Sequence, residues 1–283
     1  MSFRFVCLDS SKLANPGELY EHKWLEDLFG FRFEVEAVSS ENTLDDTRQL
    51  NVLYNHCELR KQLEWLHALR DAGRIFRLIH VSDEHGVAPI YMYDWPCVKG
   101  VIRTYDRLDL PKISNLIVVP LGYHWKPTAQ PYPRQYAWSF AGSRFIRSYN
   151  PVTNTVKEYD RAKDMKHLED IGPHKLYWVE HWSDPSKLGE SEYLEILQNS
   201  TFVACPVGQN PETYRLYEAL EAGCIPVVPG EHGGKVIKYL LSDPVRLNEY
   251  RQCILDKWAA IKQELRDKIR TGCQQIANQP IQT

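Results

Sequence analysis

Residues 201–228 constrain the fold more than any other stretch of the chain. An apolar run of strand length, 201–205, leads into a loop containing Pro206 and Gly208. Asn210 and Pro211 follow, residue types preferred at the cap and first position of a helix. The helix then runs to Ala222, Gly223 supplies its stop, and a second apolar run covers 225–228. Strand, glycine loop, capped helix and strand in this order predict a βαβ unit with parallel strands.

The alternation extends along the chain and predicts an α/β protein. Strands are expected at 3–8 and 31–38 around a helix near 19–29. A helix at 59–72 carries Leu59, Leu63 and Leu66 on one face and stops at Gly73. Residues 75–81 are apolar on both faces, as in a central parallel strand, and 98–103 and 116–119 read as two more strands. Pro120, Pro127, Pro131 and Pro133 mark a stiff crossover. The second half continues with strand 136–141, helix 157–168, strand 176–179, helix 191–199 and a helix near 234–241. The last helix, 245–271, bears one apolar stripe of Ile254, Trp258, Ile261, Leu265 and Ile269. Three parts are predicted: a first α/β domain at 1–130, a second at 131–245, and a helix at 246–283 packing back on them. Two such α/β halves would enclose a cleft at the carboxyl ends of their strands.

Composition removes several functions. The 283 residues carry a formal net charge of −3, and Lys and Arg never run five together, which disfavours a nucleic-acid surface or a polybasic membrane anchor. No apolar stretch reaches the ~18 residues a membrane span needs, so a soluble, cytoplasmic protein is expected, a monomer or a homodimer. Seven cysteines show no paired spacing, so reduced thiols are expected rather than disulfides or a zinc site.

Candidate chemistry gathers in four places. The amides of Glu212, Thr213 and Tyr214 would open the helix beginning at Pro211, at the positive end of its dipole, with Arg215 beside them: a phosphate site. Glu218 lies about 9 Å further along the axis, a reach suited to ribose hydroxyls. The competing reading is a plain capped helix with Arg215 and Glu218 as an exposed pair. At the end of strand 136–141, Gly142 and Ser143 let backbone approach a diphosphate, with Arg144 supplying charge. Asp83 and Glu84 close the buried strand 75–81 and are candidate general bases, Asp83 the first choice; the alternative is that one caps a turn and the other is merely exposed. Tyr177 and Trp182 place aromatic surface at and beyond strand 176–179, although aromatics there are often core.

The segment Glu212-Thr213-Tyr214-Arg215-Leu216-Tyr217-Glu218-Ala219, with Gly223 and Ile225-Pro226-Val227, resembles the C-terminal signature of exostosin-like glycosyltransferases. Ser82-Asp83-Glu84, Pro120-Leu121-Gly122 and Phe140-Ala141-Gly142 resemble further segments of that group, in the same order, so the likeness spans about residues 75–230. It implies the GT-B architecture, two Rossmann-like domains, the acceptor-side one at 1–130 and the nucleotide-sugar-binding one at 131–245, here with a long C-terminal helix, and it makes Tyr177, Trp182 and Pro206 candidates to line the nucleobase. It also implies inverting transfer of a sugar from a UDP-sugar to an oligosaccharide or glycoprotein acceptor, UDP-xylose being the leading donor. Lacking an anchor, the chain is nearer the small soluble viral members, which places it in a host cytoplasm. An epimerase or hydrolase of the same fold, or a non-catalytic nucleotide- or glycan-binding protein, are the alternatives. The Asp-x-Asp triplet by which the other major glycosyltransferase fold holds a metal is missing, and Asp45-Asp46 would splay. The diphosphate is therefore expected to be neutralised by helix dipole and arginine, with no metal and no cofactor beyond the UDP-sugar co-substrate.

Overall fold

A computed structural model of the chain describes residues 3–8, 20–32, 34–39, 49–55, 58–131, 133–150, 155–181, 183–208 and 210–277. They form two compact units, Met1–Leu121 with Lys262–Thr283, and Gly122–Ile261.

The first unit is built on six parallel strands: β1 (Phe3–Leu8), β2 (Val35–Val38), β3 (Gln49–Tyr54), β4 (Phe76–His80), β5 (Val98–Thr104) and β6 (Leu116–Val119). Their order is β2-β1-β3-β4-β5-β6. The chain leaves β1 to one side for β2 and crosses back to place β3 on the other, the flavodoxin-like arrangement. Helices α1 (His22–Phe29) and α2 (Leu59–Asp71) cover the sheet. Leu66 and Leu69 of α2 pack into a core with Val6, Val52 and Leu78, while Leu25 of α1 meets Phe5, Leu53 and Ile79. All five residues of β4 are buried, as the two-faced apolar run requires. β3 is absent from the sequence reading; its Leu50 and Val52 turn to one core and Leu53 to the other.

The second unit has the parallel order β10-β7-β11-β12, from β7 (Tyr136–Ser143), β10 (His174–Val179), β11 (Ser200–Ala204) and β12 (Ile225–Val227). Again the chain goes to one side of its first strand and then to the other, so the order reverses between β7 and β11. Helices α4 (Glu190–Gln198), α5 (Tyr214–Glu221) and α6 (Glu231–Leu241) complete it. Trp138, Phe140, Phe202 and Ile237 fill one core; Ala141, Val203, Ala219 and Cys224 fill the other.

Two expectations change here. Residues 157–168 are not one helix. An antiparallel hairpin, β8 (Phe145–Asn150) with β9 (Thr155–Asp160), is followed by the single turn α3 (Ala162–Met165); ladder pairing outweighs local helix preference. The expected last helix is longer, α7 (Pro244–Ala277), and its stripe is incomplete: Trp258, Leu265 and Ile269 are buried, but Ile261 is 45% exposed. Among the described residues no helix is long and apolar enough to cross a membrane.

Candidate functional site

In the second unit the carboxyl ends of β7 and β11, where the strand order reverses, are the place an open parallel sheet offers a ligand. β7 ends in Ala141, Gly142 and Ser143; β11 runs into buried Cys205 and Pro206 and then the Val207–Gly208 turn. One side chain ties the two ends together. Arg161, 5% exposed, donates from Nη1 to Ser143 O (3.1 Å) and Oγ (3.2 Å). Its Nε and Nη2 donate to Val207 O at 3.1 and 2.9 Å.

Arg215 reaches the same edge from α5. It is 9% exposed, its Nη2 donates to Ala141 O at 2.7 Å, and its guanidinium lies 4.3 Å from the centre of the Phe140 ring. Its buried Nε has no hydrogen-bond partner among the described residues. Gly142 makes the approach possible: a Cβ there would collide with Arg215 Nη2. Among the described residues both guanidinium groups thus bond to carbonyl or hydroxyl oxygens and to no carboxylate. Burial first, and then the like charge of Arg215, push Arg161 down to about 9. Two buried cations without a bonded anion are costly to hold, and an anion placed beside them would offset that cost.

The helix start differs from expectation. α5 begins at Tyr214, and Thr213 is its N-cap, with extended backbone (φ −133°) and no side-chain cap bond. Asn210 instead closes an Asx turn one step earlier, accepting the Glu212 amide at 3.1 Å, so the non-helical stretch 211–213 delays the first helical turn. Thr213 and Tyr214 still stand at the positive end of the α5 dipole. The Glu212 carboxylate turns away and accepts the Tyr217 hydroxyl.

Glu218 is 3% exposed. Its Oε1 accepts the amides of His124 and Trp125 at 3.3 and 3.2 Å, and its Oε2 accepts the Tyr193 hydroxyl at 2.6 Å. Burial raises its pKa. The carboxylate is committed to protein groups, so it holds the 124–125 loop against α4 and α5 rather than standing open to a ribose or forming an exposed pair with Arg215. Arg144 also lies elsewhere: its Nε and Nη2 grip Asp160 at 3.0 and 3.1 Å, which raises its pKa. Tyr177 is half-buried against the core of Ala141 and Val203 and donates to Ser186 O at 2.6 Å. Trp182 lies outside the described residues, as do Asp45 and Asp46.

In the first unit, the two acids that follow β4 have opposite surroundings. Asp83 has no exposed side-chain surface. Its Oδ2 accepts Arg103 Nη2 at 2.7 Å, and its Oδ1 accepts the amides of Val87 and Ala88 at 3.0 and 3.1 Å. Arg103 Nη1 in turn donates to His80 Nδ1 (2.9 Å) and the Tyr93 hydroxyl (3.0 Å). Ser82, at φ +56°, is fixed by buried Glu21, which accepts its amide at 2.9 Å and its hydroxyl at 3.0 and 2.9 Å. Between these anchors Glu84 keeps 38% of its side chain exposed, 3.6 Å from His85 Nε2.

Gly142, Ser143 and Arg215 are therefore brought together as expected from the sequence, while Arg144, Glu212 and Glu218 are turned to other partners. Arg161, His124, Trp125 and Tyr193 escaped the sequence reading. Arg161 sits in a stretch read as helix, with no motif to mark it.

Two parallel α/β units with a long final helix make the GT-B class of fold. The crystal structure of an α1,3-fucosyltransferase shares it with a TM-score of 0.50 at 13% identity, over 92% of this chain and 90% of that one. The family described as the RXYLT1 C-terminal domain matches residues 131–278, and the chain belongs to it. The resemblance to exostosin-like transferases read from the sequence is borne out. Ribitol-5-phosphate xylosyltransferase 1 of Homo sapiens is 29% identical over 180 residues, 61% of this chain and 34% of that protein. The Mus musculus protein of that name is 37% identical over 178 residues, with the same shares. Exostosin-1c of Danio rerio is 31% identical over 105 residues, 35% of this chain and 14% of its own length. The chain spans about a third of the length of the xylosyltransferases it matches.

Proposed function

We propose that the chain is an inverting glycosyltransferase that takes its sugar from a UDP-sugar. The observation that carries this is the pair Arg161 and Arg215, two buried guanidinium groups that bond to no carboxylate among the described residues, at the carboxyl edge where the order of the second sheet reverses. A diphosphate supplies the missing negative charge, with the α5 dipole adding to the attraction. The names of the relatives favour a xylosyl donor, and the acceptor is a carbohydrate hydroxyl.

In the reaction an acceptor oxygen attacks the anomeric carbon from the face opposite the diphosphate. Its proton passes to a carboxylate, the carbon–oxygen bond to UDP breaks, and the arginines stabilise the charge on the departing diphosphate. Glu84 is assigned as the base in place of Asp83: it is exposed, whereas Asp83 is enclosed and ion-paired with Arg103. Glu218 positions the His124–Trp125 loop instead of binding ribose.

Calorimetric titration with UDP, GDP, CMP and dTDP, followed by transfer assays with UDP-xylose, UDP-glucose and UDP-galactose, tests the reading. Binding of UDP but not the others is expected, with release of UDP when sugar and acceptor are both present. If no nucleoside diphosphate binds, the proposal fails.

A further inference from the structure

Within the first unit a groove of about 1560 Å³ runs along the outer strands β5 and β6 beside the end of α7. It exceeds the ~300–1,000 Å³ usual for a small-molecule pocket, so its size suits a chain of linked units rather than a single small molecule. β6 is the edge strand, and its Leu116, Ile117 and Val118 are only half-buried.

The lining defines the chemistry of an occupant. Its charged side chains balance in sign: Arg77, Lys99 and Lys268 against Asp94, Glu264 and Asp267. A groove with no net charge selects neither an anionic nor a cationic polymer. Ser114, Asn115 and Thr271 add uncharged polar groups. At one end stands Trp95, half-buried, and it belongs to an aromatic cluster. Its ring lies 4.8 Å from that of His67 and 6.0 Å from that of Tyr91, which is 50% exposed. The Arg70 guanidinium lies 4.7 Å from the centre of the Trp95 ring, and His67 Nε2 is 3.1 Å from the Tyr91 hydroxyl. Aromatic surface to stack on the apolar face of a pyranose, beside charges of both signs and uncharged polar side chains to bond its hydroxyls, is the combination a neutral oligosaccharide needs.

We infer that this groove is a binding site for an extended neutral oligosaccharide, engaged by Trp95 at one end and by Asp94, Lys99 and Asn115 along its wall. It would hold an acceptor glycan away from the reacting hydroxyl, and for that part it rests on the transferase reading. Trp95 lies just before β5, whereas Glu84 follows the end of β4, which pairs with β5 in parallel. Trp95 and Glu84 are therefore at opposite ends of the sheet, and the Trp95 end of the groove is distinct from the position assigned to the base.

The experiment is calorimetric titration of the purified chain with neutral xylo-, gluco- and galacto-oligosaccharides of two to six units, with UDP titrated in parallel. Affinity for at least one series should rise with length. It should weaken tenfold or more in Trp95→Ala, and by a smaller factor in the double variant Asp94→Ala with Lys99→Ala, which leaves the Trp95 ring in place. UDP binding should be unchanged in both variants, and Arg215→Ala should lose UDP while keeping the oligosaccharide. Absence of binding to every series overturns the inference even if UDP binds, and so does binding that neither variant weakens. Light scattering supplies one more outcome: a concentration-dependent dimer abolished by Val118→Lys would give the edge to a second copy of the chain and overturn the assignment to a glycan.

Discussion

Replacing Arg161 by methionine separates the two things this arginine does. In the unliganded protein its charge is expensive: a guanidinium held down at about 9 by burial and by Arg215 corresponds to roughly 4–5 kcal/mol of unfavourable burial. Methionine removes that cost, but it leaves Ser143 O and Val207 O without their donors, at about 1–3 kcal/mol each. The two effects nearly cancel, so the melting temperature without ligand should move by only a few degrees. Ligand binding has no such compensation. A charged hydrogen bond to phosphate is worth about 1.5–3 kcal/mol, so affinity for UDP should fall by about a hundredfold. At a UDP concentration 100 times its dissociation constant, the native protein gains about 2.7 kcal/mol, and the variant at that same concentration about 0.4 kcal/mol. At about 2–4 °C per kcal/mol, a thermal-shift assay should show the UDP effect collapse from roughly 5–10 °C to about 1 °C. Arg144→Met is the control, because that arginine is already held by Asp160, and its UDP shift should match the native one. The opposite pattern, with the shift lost in Arg144→Met and kept in Arg161→Met, would refute the two-arginine site.

The other expectations can be read with the same protein. UDP affinity should be flat with pH up to about 9 and fall about tenfold per pH unit beyond it. The free protein releases the Arg161 proton near 9 while the complex must keep it, so the fall should be missing in Arg161→Met when affinity is measured by titration from pH 7.5 to 10. The sign for stability is opposite: the unfolded chain holds that proton to higher pH than the folded one, so the penalty is complete below about 9 and is relieved as pH rises. Gly142→Ala places a methyl against Arg215 Nη2; it should cost about 1–3 kcal/mol of stability and, by displacing the guanidinium, weaken UDP at least tenfold in titration. Asp83→Asn should lower stability by about 3–5 kcal/mol in denaturant melts, since it strands buried Arg103. Glu84→Gln should leave stability within about 0.5 kcal/mol and UDP binding intact, while turnover falls about 10²–10⁴-fold; equal turnover in native and Glu84→Gln proteins would remove Glu84 as the base.

The parallel sheets were legible because β4, β7 and β11 are apolar on both faces, a pattern that short-range sequence carries directly. β3 was not, because its start falls in a polar stretch and its place between β1 and β4 is decided by long-range pairing. The site divides on the same line. Arg215 could be found because its helix, its glycine stop and its closing strand lie within a few residues of one another. Arg161 could not, because nothing near it in sequence distinguishes it. It gains its position only when β8 and β9 fold back and present it to Ser143, 18 residues earlier, and to Val207, 46 residues later. Arg144 has the more conspicuous setting, directly after Gly142-Ser143, but the same hairpin brings Asp160 to it and neutralises it. A local motif can announce that a strand end approaches phosphate; which arginine keeps its charge unpaired for that purpose depends on where the hairpin delivers its one aspartate.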